Sequence, residues 1–211
     1  YLLLIALLAI LLNWINSTGE FILADYVKID AAARIAASGG ALDMDTLIAA
    51  CSGDFQFWVA LISLGIQLFL VSRIFQMVGV RGALLIHPIM VALGYGVLAL
   101  APLLGGFVPI FTLIRLVKIA ENSIDYSLMN TTRHALFLPV DRDAKYEGKT
   151  AIDSFFWRFG DLIQAGVVFV GLNWLGWGAS QFALLNLLLA LAWIGLAVAI
   201  GRQFGRKALE N

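Results

Sequence analysis

The chain has 211 residues, 61% hydrophobic and 13% charged, with a formal net charge of zero and a mean hydropathy of +0.90. A soluble domain carries about 25% charged residues, so an ordinary soluble domain is excluded, and the balanced charge gives no basic surface for nucleic acid. One cysteine, Cys51, rules out an intrachain disulfide framework or a thiolate metal site, and His87 and His134 stand at no metal-ligand spacing.

A helix needs about 20 apolar residues to cross about 30 Å of hydrocarbon. Six stretches meet that need, which predicts an all-α polytopic membrane protein. The first covers about 1–27, apolar to Leu12 and then polar in "NWINSTGEFILADY". It starts at Tyr1 and reads as a true span of a longer protein, not as a signal peptide. Ser-Thr-Gly softens the helix before Glu20. A broken helix with an acid at mid-depth is how transporters build ion and substrate sites; the alternative puts Glu20 and Asp25 at the outer interface.

Residues 28–54 read as a long loop with a short surface helix at "AAARIAA", ended by "SGG". The second span is 55–79, with Arg73 snorkelling near its end. A Gly-containing turn at 80–82 leads to a third span, 83–103, where His87 before Pro88 reads as a turn or helix-start residue. A second tight turn is expected at 104–106. The fourth span is 105–132, followed by a charged loop over 133–150. The fifth and sixth spans are 151–175 and 178–201, and a basic tail begins at Arg202.

Lys28 and Arg34 lie on one side of this layout; Arg81, Arg133, Arg142, Lys145, Lys149, Arg202, Arg206 and Lys207 lie on the other. Basic residues stay in the cytoplasm. The reading is a multi-pass inner-membrane protein with the 133–150 loop and the C-terminus cytoplasmic.

Charges inside the spans carry the functional argument. Each costs about 2.5–3.5 kcal/mol at a helix centre and is a functional-site hypothesis by default. At 100° per residue, Arg115, Lys118, Asn122, Asp125, Met129 and Arg133 fall within about 80° of one another, with Glu121 beside them. The stripe reads as one wall of a polar cavity. The competing reading is self-neutralisation, since Lys118 reaches Glu121 and Asn122 at i+3 and i+4. In the fifth span Asp153 reads equally as a helix N-terminal charge, while Arg158 and Asp161 sit deeper. No Walker loop, HExxH or GxSxG is present, so neither an enzyme nor a cofactor is expected.

Between Lys118 and Asp161 the sequence reads "YSLMNTTRHALFLPVD", then "GKTAID", then "RFGD". This resembles the nucleotide transporter family of ATP:ADP antiporters, which shows "YSLF(D/N)xT(K/R)", "(Y/F)(I/L)P(L/V)D" and "GKxAID" in that order. It departs from the pattern at Asp125, where a lysine commonly precedes "YS", and at Asn130-Thr131, where Asp-Pro is common. The resemblance is to a divergent bacterial branch. It implies that residues 1–211 are the C-terminal six-helix half of a major-facilitator-type transporter, built from two inverted three-helix repeats, with the N-terminal half lying outside this chain. It implies alternating-access exchange or co-transport of a nucleotide. The expected substrate-facing residues are Arg115, Lys118, Asn122, Arg133 and Arg158; Glu20, Glu121, Asp125 and Asp161 are expected to couple or gate. The expected partners are an anionic small molecule, the lipid bilayer and the missing half, with no nucleic acid. Two alternatives remain: a major-facilitator transporter of a non-nucleotide anionic metabolite, and a non-transporting membrane sensor or anchor for attached soluble domains.

Overall fold

The computed structural model describes residues 1–101 and 109–210. Among these the regular structure is helical, with no strand. The elements are α1 (Leu2–Ala37), α2 (Met44–Gly65), α3 (Val71–Leu100), α4 (Ile110–Ile124), α5 (Asn130–Ala135), α6 (Arg142–Ala151), α7 (Trp157–Asn173) and α8 (Ala179–Glu210). Three π-helical turns, Ile66–Leu70, Asp125–Met129 and Ile152–Phe156, join α2 to α3, α4 to α5 and α6 to α7. A serine accompanies each turn and bonds a carbonyl one turn back: Ser63 to Val59 O at 2.6 Å, Ser127 to Ser123 O at 2.5 Å and Ser154 to Thr150 O at 2.6 Å. Such back-bonding competes with the helical ladder and bends it.

Among the described residues four stretches are long and apolar enough to cross a membrane: Leu2–Ala37, Met44–Leu100, Lys145–Asn173 and Ala179–Lys207. The chain is therefore a multi-pass membrane protein. The second stretch, 57 residues, would be about 85 Å long as one helix, far beyond about 30 Å of hydrocarbon. It is broken at Gly79, where φ is 65° and ψ −175°, a conformation that L side chains avoid. A Cβ added at Gly82 would lie 2.4 Å from Val78 Cβ, so the chain turns back sharply here. Ile110–Ala135 carries Arg115, Lys118, Glu121, Asp125 and Arg133 and is too charged to join the apolar set.

The structure corrects several expected boundaries. Residues 28–54 are not a long loop: α1 runs on to Ala37, only 38–43 connect, and α2 starts at Met44. The α1 helix is about 54 Å long, so its C-terminal part continues beyond the hydrocarbon, where Arg34 pairs with Asp30 at 2.7 Å. Asp43 caps α2 by accepting from the Thr46 amide and hydroxyl, both at 3.0 Å. The Thr46 amide, and then its hydroxyl, hold the Asp43 carboxyl below its ordinary range. Residues 133–150 are mostly helical, in α5 and α6, and the reversal expected at 80–82 begins at Gly79. The expected turn at 104–106 lies outside the described residues.

Packing puts α1 against α7, α8, α4 and α2, with α4 also against α2 and α3, and α3 against α8. The core is filled by Leu8, Leu12 and Ile15 of α1, Leu84 and Tyr95 of α3, and Trp193 of α8. Many large apolar side chains of α2 and α7 point outward, among them Leu61, Leu64, Leu162 and Phe169. In a bilayer that is the expected face, because lipid is as apolar as the side chains it meets.

Candidate functional site

The centre of the bundle is polar. Lys118 on α4 is 1% exposed, and its Nζ lies 3.2 Å from Glu121 Oε2 and 3.4 Å from Glu20 Oε1. It also donates to Asn16 Oδ1 at 2.7 Å and Asn16 O at 3.3 Å. Tyr95 of α3 donates its hydroxyl to Glu121 Oε2 at 2.8 Å, and Asn122 donates to Glu20 Oε1 at 2.8 Å. One ammonium thus holds two carboxylates from two helices, and each carboxylate has a second, neutral donor. A buried charge persists only when it is paired and hydrogen-bonded in this way.

Gly19 makes this convergence possible. A Cβ there would lie 2.0 Å from the Tyr95 hydroxyl and 2.8 Å from Lys118 Cδ. The α1 helix passes unbroken through Ser17-Thr18-Gly19, which corrects the expected break before Glu20. Thr18 bonds back to Trp14 O at 2.9 Å inside the intact helix. The glycine serves close approach between helices, the usual use of small residues in membrane bundles.

A second seam joins α1 to α7. Asn13 donates to Asp161 Oδ1 at 2.7 Å and to Trp157 O at 2.8 Å, and Ser17 donates to Asp161 Oδ1 at 3.1 Å. Arg158 lies 3.8 Å from Asp161 Oδ2, and its side chain is 84% exposed. Nearer the end of the bundle, Arg133 lies 3.5 Å from Asp153 and 4.7 Å over the Trp157 ring. Lys149 Nζ is 3.2 Å from His134 Nδ1.

Arg115 differs from the rest of the stripe because it opens on cavities. It pairs with Asp54 of α2. One cavity of about 180 Å³ between α1, α2 and α4 is lined by Glu20, Lys28, Phe55, Gln56 and Arg115. A second, of about 190 Å³, adds Asp30, Arg34 and Asp54. A groove of about 390 Å³ runs past Trp58, Ile62, Phe111, Leu116 and Arg115. Glu20, with its side chain 44% exposed, marks the boundary between the first cavity and the buried cluster.

The expected wall of a wet cavity is therefore divided. Lys118, Glu121, Asn122 and Asp125 are buried inside the bundle; Arg115 faces cavities, and Arg133 turns to Asp153 and Trp157. Asn122 bonds Glu20 instead of Lys118. His87 is neither a turn nor a helix start; it is buried in the middle of α3, 4.0 Å from Asp125. Sequence reasoning passed over Asn13, Asn16, Asp54 and Tyr95, and read Gly19 only as a helix softener. For α1 a signal existed: Asn13, Asn16 or Ser17, and Glu20 recur at helical spacing on one face. Tyr95 and Asp54 have no such local mark.

The family model described as TLC ATP/ADP transporter matches residues 46–204. The chain belongs to the TLC ATP/ADP transporter family. Relatives include ADP,ATP carrier protein 1 of Chlamydia pneumoniae, 27% identical over 170 residues, covering 72% of this chain and 33% of the carrier. The namesake of Chlamydia trachomatis is 28% identical over 144 residues, covering 56% of this chain and 26% of the carrier. The chain spans about a third of the length of the curated relatives it matches. No solved structure matches it. This family is one of transporters and not of enzymes, and the resemblance carried by residues 118–161 falls within the matched span.

Proposed function

We propose that the chain is the C-terminal half of an alternating-access transporter that exchanges or co-transports nucleotides across the bacterial inner membrane. The observation that carries this reading is the family membership together with a cation that opens on cavities beside aromatic rings. Arg115 supplies a guanidinium suited to phosphate, and Trp58 and Phe111 line the same groove with flat apolar surface suited to a base. Two inverted repeats are supported by the pairing of helices. Counting α1, α2, α3, α4 with α5, α7 and α8 as successive spans, exchange of the first three with the last three carries two of the main contacts of α1 onto contacts of α4. The contact of α1 with α7 mirrors that of α4 with α2, and α1 with α8 mirrors α4 with α3. Basic residues on the α5–α6 segment and the C-terminal tail support a cytoplasmic location for both.

In this mechanism the missing half closes the cavity wall beside Arg115. Phosphate oxygens first meet Arg115, then compete with Glu20 for Lys118, whose release from the 3.4 Å pair opens the buried cluster. Glu121 keeps Lys118 in place throughout. Asn122 follows Glu20, to which it is bonded, and Asp161 anchors α7 to α1 as the spans rock. Arg133 and Arg158 meet the anion at the cytoplasmic end of the path.

A second reading, transport of a non-nucleotide anionic metabolite, is favoured by Asp125, an acid where a lysine commonly precedes "YS". Uptake of labelled ATP and ADP by cells expressing the full-length protein separates the two. Saturable uptake, competed by unlabelled nucleotide and abolished in Arg115→Ala at wild-type membrane abundance, supports the first. Uptake confined to other anions supports the second.

A further inference from the structure

Asp125 and His87 are charged or chargeable groups that the mechanism above leaves without a task. Both are buried, His87 at 2% and Asp125 at 9% exposed. The His87 Nδ1 to Asp125 Oδ1 distance is 4.0 Å. Neither His87 nitrogen, nor Asp125 Oδ1, has a hydrogen-bond partner among the described protein groups. A buried polar atom left this way costs about 1–3 kcal/mol, and three such atoms lie at one place. No other ion-pair partner of Asp125 occurs among the described residues.

The two helices are also irregular at this level. Asp125 opens the π-helical turn Asp125–Met129, and π turns concentrate at functional sites. His87 precedes Pro88 inside α3, and the proline lacks the amide that would bond the carbonyl one turn back. Small adjustments of backbone are therefore available on both sides of the pair.

We propose that His87 and Asp125 together form a proton-binding site between α3 and α4. An aqueous proton enters along the exposed edge of Asp125 and is held between Oδ1 and Nδ1. The pair passes from a net charge of −1 to zero, and the 4.0 Å separation closes to a hydrogen bond. Protonation thus ties α3 to the π turn, and loss of the proton frees them.

The charges around the pair are accounted for. Lys118, two turns away on α4, acts on both groups, and Arg133 of α5 acts on Asp125. Both cations are already engaged, Lys118 with Glu20 and Glu121, and Arg133 with Asp153. Tyr95 of α3 is spent on Glu121. From α8 the neighbour is the uncharged Trp193, whose ring meets His87 edge to face with centroids 4.9 Å apart. That contact fixes the imidazole plane and leaves its protonation to Asp125.

Proton binding itself is independent of the substrate, but its role as a coupling site rests on the transporter reading. The test is infrared difference spectroscopy of the purified full-length protein across a pH titration, following the C=O stretch of protonated carboxyl groups. A titrating band that shifts in wild-type protein labelled with ¹³C at the aspartate carboxyl, disappears in Asp125→Asn, and moves its midpoint in His87→Gln is the expected result. The isotope arm assigns the band to an aspartate, and the midpoint shift in His87→Gln places that aspartate beside His87 even where Asp125→Asn fails to fold. A band that ignores the label, persists in Asp125→Asn, or keeps its midpoint in His87→Gln overturns the site. The full expected titration in a protein that moves no nucleotide would sink the transport reading and leave the proton site standing.

Discussion

Replacing Gly19 by alanine tests the close approach at the centre of the bundle. The new methyl would lie 2.0 Å from the Tyr95 hydroxyl, whereas ordinary contact begins at 3.4 Å. Tyr95 must retreat by about 1.4 Å, or α1 must move off by the same amount. The first shift breaks the 2.8 Å bond to Glu121; the second pulls Asn16 and Glu20 away from Lys118 and Asn122. Overpacking of this kind costs about 1–3 kcal/mol, and a buried acceptor stripped of its donor adds about 1–3 kcal/mol. The Lys118 stem, 2.8 Å from the same point, is flexible and yields more cheaply. Gly19→Ala is therefore expected to destabilise the full-length protein by about 2–6 kcal/mol on these terms, read as a fall in thermal midpoint in detergent. Tyr95→Phe removes the clashing oxygen. In that background most of the Gly19→Ala penalty should vanish, with a coupling of about 0.5–3 kcal/mol in a double-mutant cycle. Strict additivity of the two substitutions would refute the geometry.

Other expectations follow from the same contacts. Lys118→Ala leaves Glu20 and Glu121 facing each other without their cation and should cost about 3–5 kcal/mol, measured by the same thermal assay; an unchanged midpoint would remove Lys118 from the structural centre. Asn13→Ala takes one donor from Asp161 and one from the Trp157 carbonyl and should cost about 1–3 kcal/mol. Arg158→Ala, at an exposed side chain, should leave the midpoint nearly unmoved. Asp43 caps α2 in its ionised form, so protection of the Thr46 amide against hydrogen exchange should be present above the ordinary carboxylate range and lost as pH falls through the lowered value of Asp43. In Asp43→Ala that amide should exchange fast at every pH.

The membrane class and most of the span centres were legible in the sequence because they depend on long apolar runs, which need no tertiary knowledge. Boundaries were less legible. The end of α1 at Ala37 depends on a helix continuing past the hydrocarbon, where alanines and an Arg34–Asp30 pair sustain it without an apolar signal. The stripe on α4 was legible as a helical face, but periodicity gives the face and not what covers it. Only the packed structure shows that α1 closes over Lys118 through Gly19. The roles of Tyr95 and Asp54 depend on neighbours 26 and 61 positions away in sequence, Glu121 and Arg115, and nothing local marks such pairs. His87 was misread because the residue before a proline is biased away from the helical region and marks a common helix boundary; here the proline is accommodated inside α3.

Exchange through the purified full-length protein tests the central claim most directly. Liposomes holding the protein would be loaded with unlabelled ADP or left empty, then given labelled ATP outside. The account predicts saturable entry of label into loaded liposomes that is lost in Arg115→Ala. No entry into either population, from protein shown to be folded and inserted, would contradict it.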